Sequence, residues 1–263
     1  MVRITKKNRA LRGLVVLVAA LALPATPLAF AAETGPEPAW IEDAGAGLAE
    51  AGKAGKPILV DIWAVWCAPC KEMDKTTYRD AKVLSGMSGF VPLKVDADRA
   101  KTFIERYQIE VFPTVLFLDE KGKEISRLLG FIGVEEMLTR MGAVSGGYAA
   151  YREALAAGDG PAALASAGRY LLEAGNGSDA KKLLEKSLKK APAAEREALE
   201  LDLARAELAV GDSKKAAERY AALAESGSSR EVKAAALEGL ASAEEQRGRA
   251  GAALLARDRL NKL

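Results

Sequence analysis

Histidine is absent from the 263-residue chain, and cysteine occurs only twice, at Cys67 and Cys70. Without histidine, catalytic triads of the Ser-His-Asp type, Cys-His pairs and histidine-ligated metal sites are excluded. Two cysteines are too few for a four-thiolate zinc or iron–sulfur centre within one chain. We therefore predict a function that uses neither a metal nor a bound cofactor.

The amino-terminal 31 residues differ in charge from the rest of the chain. They hold five basic residues and no acidic one, an apolar run at Leu14–Leu23 and the small-x-small sequence Ala29-Phe30-Ala31. These features are typical of a cleaved secretory signal, and the apolar run is shorter than the roughly 20 residues that span a bilayer. We predict a signal peptide at 1–31 and an exported, periplasmic protein that is soluble after cleavage; an uncleaved membrane anchor is the alternative.

Removal of this segment changes the net charge. The whole chain has 38 basic and 36 acidic residues, so the loss of five basic residues leaves 33 against 36, a formal charge of −3. This balance does not favour a nucleic-acid partner. Export would also place the two cysteines in a compartment where disulfides persist.

Aromatic residues divide the remaining chain into two parts. All the tryptophans and phenylalanines precede residue 145, whereas 145–263 is rich in Ala, Leu, Glu, Lys and Arg. The sequence Ser-Gly-Gly at 145–147 marks the change and predicts a flexible linker. We predict one domain at 38–143 and a second at 148–262.

The first domain alternates segments typical of strands and helices. Ile58–Trp63 is an apolar run with one acid, Asp61, inside it, as expected of a buried central strand. A second strand and two helices follow, and then a hairpin whose turn contains Gly122 and a closing helix. This order predicts an α/β domain with a mixed sheet covered by helices on both faces.

The two cysteines lie in the hexapeptide Trp66-Cys67-Ala68-Pro69-Cys70-Lys71, between the predicted strand and a predicted helix. The positive end of a helix dipole stabilises a thiolate. Cys67 is therefore expected at the exposed first turn as a nucleophile, with Cys70 one turn deeper to attack a mixed disulfide. A purely structural disulfide is the alternative, although so short a loop constrains the unfolded chain little. A zinc site shared between two chains is a further alternative.

The segment Ile58–Lys71 resembles the active-site segment of thioredoxins, Ile109–Thr114 resembles their cis-proline loop, and Gly130 their glycine near the last strand. The resemblance covers about 40–143 and implies a cis Phe112–Pro113 bond. It also implies that Asp61 relays a proton to or from Cys70; the alternative is a strand-end acid that reaches solvent. The residues that we predict to contact substrate on this basis are Trp66, Pro69, Val111, Phe112, Pro113 and Thr114.

A narrower resemblance covers Cys67–Tyr78, which is similar to the periplasmic thioredoxin-like end domain of the DsbD family. It implies a second acid, Asp74, that raises the pKa of the nucleophile. Strong oxidases of the DsbA type carry a histidine between the two cysteines, and it stabilises the thiolate. No histidine separates Cys67 and Cys70, so their thiolate is stabilised less and the pair is expected to be more reducing. Electrons would come from an external donor protein.

The second part of the chain repeats with a period of 36 to 37 residues. Gly175, Gly211 and Gly248 recur at this spacing, and seven residues before each stands a small residue, Gly168, Ala204 or Ala241 in turn. The pattern predicts three pairs of helices over 161–262, each joined at a glycine turn. It resembles the tetratricopeptide repeat, which implies a surface for a peptide or protein partner; a non-repeating helical bundle is the alternative.

We therefore predict an exported thiol–disulfide oxidoreductase that reduces disulfides of exported client proteins. The first alternative is an interaction scaffold in which the repeats carry the function and the thioredoxin-like domain is only a docking module. The second alternative is a disulfide oxidase or isomerase, which differs in redox potential.

Overall fold

The computed structural model describes residues 36–263, and the predicted signal peptide lies outside this range. These residues form one compact unit. A mixed four-stranded sheet comes first, and helices follow to the end of the chain. The strands are β1 (Ile58–Trp63), β2 (Val91–Asp96), β3 (Thr114–Leu118) and β4 (Glu124–Leu129).

Helices surround and follow this sheet. A 3-10 turn at Thr77–Arg79 separates the second and third of them. The helices in the sheet-containing part are α1 (Ala44–Ala54), α2 (Ala68–Lys75), α3 (Ala81–Met87), α4 (Lys101–Arg106) and α5 (Val134–Gly146). Those that follow are α6 (Tyr148–Ala157), α7 (Pro161–Glu173), α8 (Gly177–Lys190), α9 (Ala193–Ala209), α10 (Ser213–Ser226), α11 (Arg230–Gln246) and α12 (Ala250–Asn261).

The sheet has the strand order β2-β1-β3-β4, with β1 parallel to β2 and antiparallel to β3. Successive residues of β1 point to opposite faces, so Leu59 and Val60 enter two different apolar clusters. The prediction of an α/β domain with a mixed sheet is confirmed, and an apolar cluster lies on each face of the sheet. Because β1 is central, its backbone is paired on both sides, and Asp61 lies between Lys94 of β2 and Val115 of β3.

The predicted flexible linker at 145–147 is wrong. Helix α5 continues to Gly146, and α6 begins at Tyr148. The Tyr170 ring packs so close to Gly147 that a Cβ there would lie 3.0 Å from it, and the Tyr170 hydroxyl donates to the Val144 carbonyl at 2.9 Å. The glycine therefore permits close packing rather than flexibility, and the buried tyrosines outweigh the local tendency to bend.

The helical part is joined to the sheet-containing part by a continuous core. One apolar cluster extends from Phe117 of β3 through Tyr148 and Tyr151 to Leu199 of α9. Glu120, in the β3–β4 turn, accepts a hydrogen bond from the Tyr148 hydroxyl and so connects the two parts at the end of the sheet opposite Cys67. The division into domains at 38–143 and 148–262 stays a prediction.

Three helix pairs lie where the repeat spacing predicted them, namely α7–α8, α9–α10 and α11–α12. The first helix of each pair ends next to Gly175, Gly211 or Gly248, and each glycine has a positive φ, between 71° and 85°. Glycine adopts this conformation at a helix end without the strain that a side chain would bring. The helical architecture is confirmed, whereas its assignment to tetratricopeptide repeats stays a prediction.

Gly168 is expected to be essential to the first helix pair. A Cβ on this residue would lie 2.8 Å from Cγ of the fully buried Leu184 in α8. Overpacking destabilises the folded state by about 1–3 kcal/mol, whereas replacing a glycine inside a helix by alanine stabilises it by up to about 1 kcal/mol. Gly168→Ala should therefore lower the free energy of unfolding by about 1 kcal/mol. Urea denaturation measures this.

Gly142→Ala is the matched control for this prediction. Gly142 also lies inside a helix, is exposed, and has no atom within 4 Å of the position that a Cβ would take. This variant should be slightly more stable than the parent protein. A stabilising Gly168→Ala change would contradict the close helix crossing.

Candidate functional site

The two cysteines form a disulfide at the amino-terminal end of α2. Cys67 is the residue that caps the helix, and its sulfur accepts a hydrogen bond from the Cys70 backbone N–H at 3.2 Å. The Cα atoms of the two cysteines are 5.3 Å apart. Pro69 lies in the first turn, where its missing N–H leaves no hydrogen bond unmade. The strand–Cys–helix order predicted from the sequence is confirmed.

Cys67 is more enclosed than expected. We predicted an exposed nucleophile, but Cys67 is 3% exposed and Cys70 is 2% exposed. Both sulfurs belong to the apolar cluster that includes Ile62 and Ala64. The disulfide is covered because it packs among the side chains of this cluster.

Exposed apolar side chains lie near this disulfide. Trp66, next to Cys67, is 63% exposed, and its indole ring stands 5.3 Å from the Phe112 ring, edge to face. Leu129 and Phe131 flank Gly130, whose N–H donates to the Pro113 carbonyl at 2.9 Å. We call this surface the apolar rim; it consists of the exposed residues Val65, Trp66, Val111, Leu129 and Phe131 and the half-buried Phe112.

The loop before β3 has the form that the resemblance implied. The Phe112–Pro113 peptide bond is cis. Val111 is exposed, whereas Pro113 and Thr114 are buried. The Thr114 hydroxyl donates to the Val111 carbonyl at 2.7 Å, so this side chain shapes the loop instead of facing solvent. The ring contact between Phe112 and Trp66 brings the loop to the cysteine-bearing turn.

Asp61 is buried in the middle of β1, at 2% exposure, so the alternative of a solvent-reaching acid is wrong. Its Oδ1 accepts a hydrogen bond from the Tyr78 hydroxyl at 3.1 Å, and its Oδ2 lies 3.6 Å from Lys94 Nζ. Burial raises the pKa of Asp61 to about 6, because removal from water disfavours the charged carboxylate. The charge of Asp74 raises this pKa further, while Lys94 and the Tyr78 hydrogen bond lower it.

Asp74 lies on α2, one helical turn after Cys70, and is partly exposed. Its carboxylate forms an ion pair with Lys94 at 2.5 Å. Lys94 therefore pairs with both Asp61 and Asp74, so the two acids are connected through one lysine. The influence of Asp74 on the thiol of Cys67 stays a prediction.

Sequence reasoning assigned no role to Lys94, Tyr78 or Trp40. The Lys94 ammonium lies over the rings of Trp40, at 5.5 Å, and Trp63, at 5.3 Å. Lys94 is the parallel-sheet partner of Asp61, which explains the ion pair. In the sequence Lys94 alternates with the apolar residues of β2, as a solvent-facing lysine would, so its partner could be identified only from the strand register.

Among residues 36–263 no cluster of three or more cysteine or acidic side chains is arranged to bind a metal ion. In the same range no helix is both long and apolar enough to cross a membrane.

Comparison with known families identifies the sheet-containing part. A family described as "Thioredoxin-like domain" matches residues 45–145. Residues 45–145 are a thioredoxin-like domain. It is homologous to the thioredoxin-like domain of DsbD proteins, and it is a thiol–disulfide oxidoreductase-like domain with a Cys67–Cys70 pair.

Curated relatives of the thioredoxin-like domain include the thiol:disulfide interchange protein DsbD of Pseudoalteromonas atlantica, which is 42% identical over 91 residues, covering 32% of this chain and 15% of the relative. The DsbD of Yersinia pestis is 34% identical over 93 residues, covering 33% of this chain and 16% of the relative. This chain therefore spans about one sixth of the length of these relatives.

Solved structures similar to the thioredoxin-like domain include a thioredoxin from Thermus thermophilus. It is 25% identical, with a TM-score of 0.37, and the match covers 40% of this chain and 85% of that one. The carboxyl-terminal domain of Neisseria meningitidis DsbD in its oxidised form is 24% identical, with a TM-score of 0.33, and the match covers 38% of this chain and 94% of that one.

Proposed function

We propose that this protein is an exported thiol–disulfide oxidoreductase that reduces disulfides of exported client proteins. The observation that carries the proposal is the Cys67–Cys70 pair at the start of α2, beside the cis-proline loop and the apolar rim. Homology to the DsbD thioredoxin-like domain supports the same chemistry. Export rests on the basic and apolar pattern of residues 1–31.

Reduction of a client takes two exchange steps. The Cys67 thiolate attacks one sulfur of the client disulfide, which forms a mixed disulfide and releases the other client sulfur as a thiolate. Cys70 then loses its proton to Asp61 and attacks the Cys67 sulfur. The client leaves with two reduced sulfurs, and its two electrons have come from the dithiol, which is now the Cys67–Cys70 disulfide. An external donor protein returns the pair to the dithiol form.

The apolar rim accounts for client binding in this proposal. Trp66 and Phe112 offer flat apolar surface next to the disulfide, and Val111 offers a side chain on the cis-proline loop. Exposed apolar side chains gathered in one place are typical of an interaction site. Pro69 and Pro113 shape the two loops behind this surface. A client segment with apolar residues beside its cysteine is the expected substrate.

The reduction potential of the Cys67–Cys70 pair tests the direction of electron flow. No histidine lies between the cysteines, and Asp74 lies one helical turn after Cys70 and shares Lys94 with Asp61, so we expect the thiolate of the reduced form to gain little stabilisation. We expect a potential close to that of thioredoxin, about −270 mV. Alkylation of free thiols in the purified chain across defined glutathione and dithiothreitol buffers measures it.

A potential of about −180 to −120 mV would contradict the reductase proposal and favour the isomerase or oxidase alternative. The double variant Cys67→Ser, Cys70→Ser gives the baseline for alkylation. A pair that never equilibrates with either buffer would contradict redox activity altogether.

Partner binding by the helices is the second candidate function. Helices α7, α9 and α11 line a groove that includes Ala198, Leu201 and Leu208, with Arg205 and the Arg169–Asp202 ion pair beside them. Stacked helix pairs offer such curved surfaces to peptides or proteins. This groove selects or retains the client, and in the scaffold alternative it carries the whole function.

A further inference from the structure

Tyr78 is buried next to the acid of the proposed proton relay. It lies in the 3-10 turn after α2, is 1% exposed, and packs edge to face against Trp40 with 5.0 Å between the ring centroids. Its hydroxyl donates to Asp61 Oδ1 at 3.1 Å. The contact with the Trp40 ring and the burial of the turn fix the position of the Tyr78 hydroxyl.

The two oxygens of Asp61 have different partners. Oδ1 accepts the Tyr78 hydrogen bond, while Oδ2 faces the Lys94 ammonium, which also pairs with Asp74. The charged groups around Asp61 thus come from β2 and α2. Farther out, Glu37 and Arg79 form an ion pair in the wall of a small cleft that Tyr78, Asp74 and Lys94 also line.

We propose that the Tyr78 hydroxyl is a positioning group for Asp61, which orients the carboxylate and keeps it ionised as the proton acceptor for Cys70. The part of this inference that concerns Cys70 rests on the proposed function. The part that concerns Asp61 itself does not, because the hydrogen bond exists in the oxidised protein.

The physical argument is a competition between burial and hydrogen bonding. Burial disfavours the ionised carboxylate, and a donated hydrogen bond favours it. Lys94 divides its charge between Asp61 and Asp74, so it neutralises Asp61 only in part. The pKa of Tyr78 is raised well above its ordinary value by burial and by Asp61, so its hydroxyl remains a donor at neutral pH.

The first experiment compares Tyr78→Phe with the parent protein by 13C NMR titration of the Asp61 carboxyl in the oxidised full chain. Loss of a hydrogen bond to a charged group should move the Asp61 midpoint upward by about one pH unit. Tyr151→Phe is the matched control, because the Tyr151 hydroxyl is buried and has no hydrogen-bond partner among residues 36–263. An unmoved or lowered midpoint in Tyr78→Phe would overturn the inference.

Tyr78→3-fluorotyrosine provides a test that does not depend on folding of Tyr78→Phe. Fluorination makes the phenol a stronger hydrogen-bond donor while the ring still fills its site. The Asp61 midpoint should then move downward, opposite to the change in Tyr78→Phe. An upward shift would overturn the inference.

The second experiment measures the rate of exchange with a small-molecule disulfide as a function of pH. The acid limb of the profile should move upward in Tyr78→Phe, whereas a structural role alone would lower the rate at every pH without moving the limb. In an Asp61→Asn background, Tyr78→Phe should have no further effect on the limb. If the parent protein performs no exchange, the proposed function fails, and the NMR titration still decides the role of Tyr78.

Discussion

Cys70→Ser is expected to leave the protein covalently joined to its client through Cys67. Without the Cys70 sulfur, the mixed disulfide has no internal thiol to resolve it, and turnover of the client should fall to the baseline. Cys70, like Cys67, is buried, and its backbone N–H donates to the Cys67 sulfur, so it is already placed for this attack. Serine is close in size to cysteine, and the helix start should persist.

The measurement is a non-reducing gel of the exported fraction, followed by mass spectrometry of the species that dithiothreitol releases. Cys67→Ser is the matched control, because it removes the attacking sulfur and leaves Cys70 in place. Adducts should form with Cys70→Ser and not with Cys67→Ser. If neither variant traps a client and both still bind partners, the helical groove carries the function and the scaffold alternative is favoured.

Asp61→Asn is expected to make the oxidised protein more stable at pH 7.5. The pKa of Asp61 is raised from 3.8 to about 6, chiefly by burial, so the folded state holds its proton to higher pH than the unfolded chain does. The ionised carboxylate therefore costs stability at neutral pH, by about 2–3 kcal/mol for a shift of this size. Asparagine removes that charge, and Lys94 keeps Asp74 as its partner.

The raised pKa of Asp61 determines the pH range in which Asp61→Asn stabilises the protein. Below about pH 4, Asp61 is protonated in both states and the gain should vanish; it should grow between pH 4 and 6 and be constant above. Urea denaturation at pH 3.5, 5 and 7.5 measures it. A gain that is independent of pH, or a loss of stability at pH 7.5, would contradict the effect of burial.

Asp119→Asn is the matched control for Asp61→Asn. Asp119 is also buried, but its Oδ1 accepts backbone hydrogen bonds from Lys121 at 2.9 Å and Lys123 at 2.8 Å in the β3–β4 turn. This carboxylate holds the turn together, and charge-assisted hydrogen bonds are stronger than neutral ones. Asp119→Asn should therefore lower stability, whereas Asp61→Asn raises it.

Local patterns were sufficient for the redox segment and for the repeats. An apolar strand, a Cys-x-x-Cys sequence with proline and a helix follow one another within Ile58–Lys75, so neighbouring residues determine the position of the disulfide. The glycines that end α7, α9 and α11 act in the same way, because a positive φ is a property of one residue. Such features depend on backbone preferences and on short-range periodicity.

Other features depend on packing between distant parts of the chain. Tyr78 and Lys94 reach Asp61 only because the 3-10 turn packs on the sheet and β2 lies in register beside β1. The glycine-rich stretch at 145–147 ends helix α5 and is tightly packed, because buried tyrosines lie against it. The sequence by itself determined the thioredoxin-like cysteine segment and the order of the strands and helices around it. Only the tertiary structure decided the partners of Asp61 and the burial of Cys67, because both follow from contacts between segments far apart in the chain.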